Sequence, residues 1–272
     1  MIYLGTSEFA AGVLTRLTGL GHRPRLVVTR PDRPKGRGRR LQPPPVAETA
    51  RQLGIDLLQP EDVNAVDLGE DDAIVLCAYG AIIREPLLSR GILNLHPSLL
   101  PRWRGAAPIE RAIMAGDTQT GVSVMRLTEG LDSGPVCLAE PEPIHPDDTY
   151  GTLAERLEER GAALLARALE ESPPCREQPE EGVTYAERIT AEDRTLDPDA
   201  PPEVNERIVR ALHPHIGARV RLDDGTWLGV HEARVGDGGP GTLTWHGLEL
   251  LRVQPPGGRP MDAAAYLRGR AT

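Results

Sequence analysis

An asparagine and a histidine stand two residues apart at the end of an apolar run. They are Asn94 and His96 in LNLHPSLLP, and Pro97 stops the run immediately afterwards. Residues i and i+2 of a β-strand point to the same face, so the two side chains would share one side of a strand. Both side chains donate hydrogen bonds, and two donors that converge on one point suit an oxyanion hole, where a carbonyl becomes tetrahedral. The pair therefore predicts chemistry at a carbonyl carbon.

A carboxylate follows downstream in the glycine-rich loop EGLDSG. Asp132 lies between Gly130 and Gly134, and glycine lets a loop backbone curve tightly. A carboxylate within reach of a histidine can orient its ring and take part in proton transfer. Each residue taken singly also fits a structural role. A histidine at a strand end is often only hydrogen-bonded, and an aspartate in a glycine loop usually forms a turn.

Alternating strands and helices surround these residues and indicate how they are positioned. Short apolar runs predict strands, and apolar residues at helical spacing predict helices, with Ser7 as the N-cap of the first helix. The predicted strands span residues 2–4, 26–28, 55–58, 73–78, 93–95 and 121–127, and the predicted helices span 9–17, 46–53, 106–115 and 149–169. Such alternation predicts an α/β fold with a mostly parallel sheet. Ligands bind at the carboxyl ends of parallel strands, which is where Asn94 and His96 lie.

The last third of the chain has a different composition. A proline- and acid-rich stretch, SPPCREQPEEG, begins at Ser172, and a second break follows at 198–202. A predicted helix at 203–212 precedes short predicted strands around Val220, 228–230, Leu243 and 248–253. This pattern is typical of a small β-rich module. We therefore predict a catalytic domain at 1–182, a linker at 183–202 and a small β-domain at 203–272.

The composition argues against several classes of protein. A net charge of −9 argues against a general nucleic-acid coat, and 39% hydrophobic with 26% charged residues is ordinary for a globular protein. The chain contains no run of about 18 apolar residues, which is the length needed to span a membrane. Its start lacks the basic region of a signal peptide. The three cysteines show no metal-ligand spacing. We expect a cytoplasmic protein whose cysteines are buried, reduced thiols.

Positive charge is concentrated in one segment of this acidic chain. Eight basic residues and one acid lie between Arg23 and Arg40. Prolines and glycines in the segment predict a loop, and its arginines could pair with phosphate groups. A solvated charged surface is the alternative interpretation.

Five stretches resemble the folate-dependent formyltransferases in their order and spacing. NLHPSLLP at 94–101, taken with GLDSG at 130–134, resembles the signature of the family. PRWRGAAPI at 101–109 resembles the branch that formylates methionyl-tRNA. The other three are GTSEFA at 5–10, TRPDRPKGRGRRLQPPPV at 29–46 and AYGAII at 78–83. The resemblance is good over roughly residues 1–190 and loose in the tail.

The resemblance implies a fold and an activity. The fold would be a Rossmann-like, mostly parallel sheet in an amino-terminal formyltransferase domain, followed by a small, shortened, OB-like β-barrel. The activity would transfer a formyl group from 10-formyltetrahydrofolate to the α-amine of methionyl initiator tRNA, for translation initiation. Asn94 and His96 would stabilise the oxyanion, and Asp132 would position His96 and relay a proton through water. No metal is implied, and we expect a monomer without membrane contact.

The resemblance also assigns two binding regions. The residues that would line the tetrahydrofolate pocket or contact the pterin ring are Ser98, Leu99, Leu100, Pro101, Tyr79, Gly80, Ala81 and Ile82. The residues that would meet the acceptor stem of tRNA are Arg33, Lys35, Arg37, Arg39 and Arg40.

Three other activities stay open at this stage. A formyltransferase that acts on an amino sugar nucleotide or on glycinamide ribonucleotide would not need a polycationic insertion. A non-catalytic tRNA- or folate-binding relative would not need all of Asn94, His96 and Asp132. A formyltetrahydrofolate hydrolase would share these three residues but would have no use for the basic loop. The tail is short, its LHPHIGA turn lacks the aromatics usual in the family, and His213 and His215 are predicted to be turn residues rather than metal ligands.

Overall fold

The computed structural model describes residues 1–35, 40–70 and 72–270. The strands are β1 (Ile2–Gly5), β2 (Leu26–Val28), β3 (Arg33–Lys35), β4 (Arg40–Gln42), β5 (Asp56–Leu58), β6 (Ile74–Cys77), β7 (Leu93–His96), β8 (Arg104–Gly105), β9 (Gln119–Arg126), β10 (Val136–Pro143), β11 (Tyr185–Ala186), β12 (Ala218–Arg221), β13 (Trp227–Val235), β14 (Leu243–Trp245), β15 (Leu248–Gln254) and β16 (Met261–Asp262). The α-helices are α1 (Glu8–Gly19), α2 (Pro45–Gln52), α3 (Pro108–Ala115), α4 (Tyr150–Glu171), α5 (Pro202–Leu212) and α6 (Ala263–Arg270), and the 3-10 helices are Val63–Ala65 and Leu88–Arg90.

These elements form two compact units, each built from three stretches of chain. The first unit comprises Met1–Gly105, Thr120–Glu142 and Ala154–Tyr185. The second comprises Ala106–Gln119, Pro143–Leu153 and Ala186–Thr272. The division into consecutive domains at 182 and 202 stays a prediction.

A seven-stranded sheet forms the centre of the first unit. Its strand order is β10-β9-β7-β6-β1-β2-β5. The five strands from β7 to β5 pair in parallel, and β9 pairs antiparallel with β7. β1, β6 and β7 are buried along their whole length, as expected for apolar strands that are covered on both faces. The predicted α/β fold with a mostly parallel sheet is confirmed.

Local signals account for the first crossover of the sheet. The Ser7 hydroxyl accepts a hydrogen bond from the Ala10 amide at 3.2 Å and caps α1, as predicted. The apolar residues of α1 that recur at helical spacing, Phe9, Val13, Leu14 and Leu17, are all buried. The other predicted strands and helices are also present. Their ends move by one or two residues, except in β13, which continues to Val235, five residues beyond the predicted strand at 228–230. β10 was not predicted.

The cysteines correct one expectation. Cys137 in β10 and Cys175 after α4 form a disulfide, so these two are not the reduced thiols that the sequence suggested, while Cys77 is buried and free. Beside the disulfide, Val136 and Arg176 exchange two backbone hydrogen bonds of 2.8 and 2.9 Å. The stretch after α4 therefore folds back along β10. This return brings together cysteines that are 38 residues apart, which their spacing alone did not reveal.

The basic segment is more ordered at its ends than the predicted loop. β3 and β4 pair antiparallel, with Arg33 opposite Gln42 and Lys35 opposite Arg40. Two of the residues predicted to bind tRNA, Arg37 and Arg39, lie outside the described residues.

The second unit contains a separate antiparallel sheet. Its strand order is β12-β13-β15-β14, and β16 pairs with β15. The register of β13 shifts between Val230 and Ala233, and such bulges bend a strand and increase its twist. The core of this unit contains Val209, Leu212, Val220, Leu228, Val230, Leu248, Leu250 and Val253. The predicted small β-rich module is confirmed, whereas β16 and α6 were not predicted.

The histidines of LHPHIGA lie in a turn, as predicted. His215 Nε2 is 2.9 Å from Glu110 Oε1, and its ring stacks on that of Tyr150 with centroids 3.7 Å apart. Within 1–35, 40–70 and 72–270, no group of three or more potential metal ligands is present. In the same ranges no helix combines the length and the apolar character that crossing a membrane requires.

Candidate active site

β7 presents Asn94 and His96 on one face and Leu95 on the other. Leu95 packs against α4 so closely that a Cβ on Gly161 would come within 2.8 Å of it. Asn94 and His96 are 4% and 5% exposed, so both donors are nearly removed from bulk water. The antiparallel partner β9 places Ser123 opposite His96.

The hydrogen bonds of His96 fix the roles of its two ring nitrogens. Nε2 lies 2.8 Å from the backbone oxygen of Trp103. A carbonyl oxygen can only accept, so Nε2 must carry a hydrogen. The other nitrogen, Nδ1, faces Asp132 Oδ2 at 3.6 Å. Nδ1 is therefore the ring nitrogen that lies beside the carboxylate.

Asp132 is held between two donors. Its Oδ2 accepts a hydrogen bond from the Gly105 amide at 2.9 Å, and its Oδ1 lies 3.4 Å from the donor Nδ2 of Asn94. Asp132 and Trp103 have φ angles of +44° and +62°, in the left-handed region that side chains other than glycine seldom adopt. Such residues persist only where their surroundings determine the conformation, and they cluster at functional sites. The three candidate catalytic residues are thus brought together, as the sequence predicted.

The loop after β7, HPSLLP, is held by two serine hydroxyls. Ser98 Oγ donates to the backbone oxygen of Arg102 at 2.6 Å. Ser123 Oγ, from β9, donates to the backbone oxygen of Ser98 at 2.8 Å and accepts from the Leu100 amide at 3.2 Å. Ser98 is fully buried, whereas Leu99, Leu100 and Pro101 are half-buried. The predicted folate contacts of this loop are therefore limited to the half-buried residues and the backbone.

The second stretch with predicted folate contacts, 79–82, follows β6. Tyr79 is 1% exposed, and burial raises the pKa of its hydroxyl. Its backbone oxygen accepts from Thr6 Oγ1 at 2.7 Å. Gly80 has a φ of +75° and is exposed, and Ile82 is 71% exposed. The Tyr79 side chain belongs to the core, which leaves the backbone and the exposed residues of this stretch for a ligand. The predicted contacts of Ala81 and its neighbours with folate stay a prediction.

Residues from the stretch after α4 complete the surroundings of Asp132, and the sequence did not predict them. Gln178 Nε2 donates to the backbone oxygens of Asp132 and Gly134, each at 2.8 Å. Arg104 donates to Gln178 Oε1 from Nη2 and Nε, at 2.7 and 3.0 Å. Thr184 Oγ1 accepts from the Trp103 amide at 2.9 Å. A glutamine in a proline- and acid-rich stretch carries no local signal of such a role.

Arg33 and Arg40, the two described arginines among the residues predicted to bind tRNA, are exposed. They lie on β3 and β4, and neither guanidinium group makes a hydrogen bond or an ion pair with another described residue. Lys35 ends β3. Exposed guanidinium groups of this kind can pair with phosphates, and the predicted contact with tRNA stays a prediction.

The arrangement supports the addition of a nucleophile to a carbonyl group. The Asn94 amide and the His96 ring supply donors for the oxygen, and Asp132 supplies a carboxylate for the proton. Preorganised donors in a site with little water can supply about 3–4 kcal/mol each to a transition state that develops negative charge. The hydroxyls of Ser98 and Ser123 both donate to backbone oxygens of this loop, and Cys77 is buried, so these three side chains are engaged in structural roles.

Comparison with known proteins gives the same chemistry. A family model described as formyl transferase matches residues 1–169. The methionyl-tRNA formyltransferase of Halorhodospira halophila is 44% identical over an alignment that covers 99% of this chain and 96% of that protein. The methionyl-tRNA formyltransferase of Methylobacterium sp. is 42% identical, with the same coverage of 99% and 96%.

Solved structures share the fold at low sequence identity. A methionyl-tRNA formyltransferase from Clostridium thermocellum matches with a TM-score of 0.58 and 16% identity, over 88% of this chain and 94% of that one. The N-formyltransferase of Helicobacter canadensis, in complex with folinic acid and dTDP-3-aminofucose, matches with a TM-score of 0.64 and 15% identity, over 91% and 96%. HypX from Aquifex aeolicus, in complex with tetrahydrofolic acid, matches with a TM-score of 0.67 and 17% identity, over 98% and 46%.

Proposed function

The chain belongs to the formyl transferase family, and we infer that it transfers a formyl group from 10-formyltetrahydrofolate to the α-amine of methionyl initiator tRNA. The observation that carries this function is the convergence of Asn94, His96 and Asp132 at the end of β7, in a chain 44% identical to a methionyl-tRNA formyltransferase over nearly its whole length. The product would serve translation initiation.

We propose that the three residues act together on the formyl carbon. When the amine adds, the formyl oxygen becomes negative, and the amide of Asn94 donates a hydrogen bond to it. The Nε2–H of His96 becomes the second donor by exchanging its bond to the Trp103 oxygen for one to the oxyanion. The amine loses a proton to Asp132, directly or through a water molecule. The same proton then passes to N10 of the folate as the bond between N10 and the formyl carbon breaks. Atoms and charges balance without a covalent enzyme intermediate.

The folate would lie against the two stretches that the sequence assigned to it. The half-buried residues Leu99, Leu100 and Pro101 offer apolar surface, and the exposed backbone after Tyr79 offers hydrogen-bonding groups to a pterin ring. The buried Ser98 would act by shaping the loop rather than by contact, because its hydroxyl is already bonded to Arg102.

The basic segment is proposed to meet the acceptor stem of the tRNA. Arg33 and Arg40 are exposed and unpaired among the described residues, and phosphate contacts by arginine dominate the affinity of proteins for nucleic acid. Lys35, Arg37 and Arg39 belong to the same proposed contact. A monomer in the cytoplasm, where charged tRNA is used, is the state that we propose for the working enzyme.

The function is tested by incubating the chain with 10-formyltetrahydrofolate and methionine-charged initiator tRNA, then measuring formyl-methionine after deacylation. We expect formylation by the natural chain and a loss of about 100- to 1000-fold in His96→Ala, because one donor to the oxyanion is removed. His145→Ala, which changes an exposed histidine far along the chain, serves as the matched control. Binding of tetrahydrofolate without formylation of the tRNA would contradict this acceptor and redirect the search to small amines or to water.

A further inference from the structure

We propose that Gln178 is a positioning residue that holds Asp132 in its active conformation. The inference rests on the proposed function, and it adds a residue that acts on the reaction through Asp132 rather than by touching substrate. It concerns a side chain that lies 46 positions after Asp132 and belongs to no motif in the sequence.

The hydrogen bonds of Gln178 use every group of its amide. Both hydrogens on Nε2 are taken by backbone oxygens, those of Asp132 and Gly134, and Oε1 accepts two hydrogen bonds from Arg104. A guanidinium has no acceptor, and a carbonyl has no donor. If the Gln178 amide were flipped, its NH2 group would therefore face the donors of Arg104, and its oxygen would face the two backbone oxygens. The orientation of the side chain is determined by its partners.

These hydrogen bonds belong to a closed network that includes the Asp132 carboxylate. Gln178 holds the backbone of Asp132, Arg104 holds Gln178, and the amide of the next residue, Gly105, donates to Asp132 Oδ2. The glutamine thus ties the backbone of the aspartate to the strand that contacts its side chain. A shift of the loop away from Gln178 would move the carboxylate relative to both Gly105 and His96.

The loop around Asp132 needs this external constraint. Asp132 has a φ of +44°, in a region that an aspartate adopts at an energetic cost. Gly134 packs so tightly that a Cβ would overlap the backbone oxygen of Arg126. The loop therefore has one closely fitted conformation, and the side chain that bonds two of its carbonyls is the one placed to select it.

The nearly isosteric Gln178→Glu variant isolates this role. It keeps an acceptor for Arg104, but it replaces the donor with an oxygen that faces two carbonyl oxygens. We expect kcat for formyl transfer to fall roughly 10- to 100-fold, since a misplacement of about 1 Å can have that effect. KM for folate and for tRNA should change less than about twofold, because uniform binding is untouched.

Two further variants serve as comparisons for the effect of Gln178→Glu on kcat. Gln52→Glu makes the same substitution at an exposed position on α2 and should leave kcat unchanged. Gln178→Ala removes both the donor and the acceptor and should lose kcat to a similar degree, with a normal cooperative melt. A change confined to the amount of folded protein, with kcat and KM intact, would assign Gln178 a structural role only and overturn the proposal.

A double-mutant cycle shows whether the glutamine acts through the aspartate. In an Asp132→Asn background, measured in single turnovers, Gln178→Glu should have little further effect on the rate, because residues that act as a unit are not additive. A second full loss in that background would show that Gln178 acts by another route and would refute the inference.

Hydrogen exchange does not depend on which molecule accepts the formyl group, and it therefore separates this inference from the proposed function. The Gly105 amide donates to Asp132 Oδ2, so its hydrogen exchange, followed by NMR, reports the position of the carboxylate. We expect faster exchange at Gly105 in Gln178→Glu and natural protection in Gln52→Glu. Unchanged protection at Gly105 would defeat the positioning role, whereas an inactive natural chain with this exchange pattern would defeat only the proposed function.

Discussion

At the scale of single residues, a backbone carbonyl determines which ring nitrogen of His96 carries a hydrogen. The oxygen of Trp103 assigns a hydrogen to His96 Nε2, which leaves Nδ1 as the nitrogen that faces Asp132. Trp103 and Asp132 both have left-handed backbones. The two residues with left-handed backbones are thus the two whose carbonyl and carboxylate oxygens contact the ring of His96.

Asp132→Asn should remove proton transfer while the fold is retained. Asparagine tolerates the left-handed region and can still accept from Gly105, but its amide cannot take a proton. We expect kcat to fall by about 100- to 10,000-fold, the usual contribution of general acid–base catalysis, with tetrahydrofolate affinity nearly unchanged by calorimetry. Asp147→Asn, at an exposed position, is the control. Activity within about threefold of the natural chain would rule out a proton-relay role for Asp132.

The sequence predicted the candidate catalytic residues of the site but not the residues that hold them in place. Asn94 and His96 lie on one strand, and their spacing of two residues places both side chains on the same face. Asp132 was identified by its position in a glycine-rich loop. Gln178 reaches Asp132 through the return of the chain along β10, and Ser123 reaches Ser98 through strand pairing. Contacts of this kind depend on tertiary structure, and no local pattern contains them.

At the scale of elements, β9 serves as the support of the loop that follows β7. Ser123 stands opposite His96 in the register of the two strands, and its hydroxyl bonds both the Ser98 oxygen and the Leu100 amide. The loop that is proposed to contact folate is therefore fixed by the same strand pairing that places His96, the proposed catalytic histidine.

Ser123→Ala should loosen that loop. The change leaves a buried carbonyl and a buried amide unpaired, at a cost of about 1–3 kcal/mol in the free energy of unfolding. We expect KM for 10-formyltetrahydrofolate to rise roughly 3- to 10-fold, which corresponds to at most about 1.4 kcal/mol. Urea unfolding and steady-state kinetics measure the two effects. Ser89→Ala, at an exposed serine that bonds only Glu85, is the control, and an unchanged KM in Ser123→Ala would count against the folate assignment of the loop.

Continuous apolar runs predicted elements better than mixed ones did. β1, β6 and β7 are buried throughout and were predicted within one or two residues. β10, with the sequence VCLAEPEP, lies at the edge of the sheet and buries few of its residues. Two prolines and two acids within an edge strand leave no periodic apolar signal. The disulfide partner of Cys175 was missed together with this strand.

At the scale of the whole molecule, the predicted fold was accurate because two of its properties are repetitive. Alternation of strands and helices required a parallel sheet, and closely spaced short strands required a separate β-module.

The stability of the chain also depends on single buried charges. Glu158 on α4 bonds Arg16 at 2.7 Å and approaches Gly12 so closely that a Cβ there would overlap it.

The contribution of Glu158 to stability should fall as pH rises toward neutrality. Burial raises the pKa of Glu158 to about 7, although Arg16 acts in the opposite direction. Because the folded-state pKa exceeds the unfolded value near 4.5, the stabilisation is complete below about pH 4.5 and is lost as pH rises through 7. The loss is at most about 3 kcal/mol, less whatever solvent screening removes. Urea unfolding of Glu158→Gln at several pH values should show a smaller decrease between pH 5 and 8 than the natural chain.

A matched variant tests the source of this pH dependence. Glu155 lies near the same Arg16, at 3.9 Å, but its side chain is 76% exposed. Glu155→Gln should keep most of the pH dependence and move its midpoint slightly to lower pH, because burial is the main cause of the raised pKa of Glu158 and the charge of Glu155 is a smaller one. Identical profiles for Glu158→Gln and the natural chain would place the titrating group elsewhere.

The return of the chain after α4 sets an order for events during synthesis. The amino-terminal part of a protein leaves the ribosome first, so Asn94, His96 and Asp132 emerge well before Gln178 and Thr184. The stretch matched by the family model, residues 1–169, contains the three candidate catalytic residues, yet it ends before Gln178 and Thr184, which bond the loops around them. A nascent chain of that length therefore holds the candidate groups without these contacts, which can form only after the stretch that follows α4 has been synthesised.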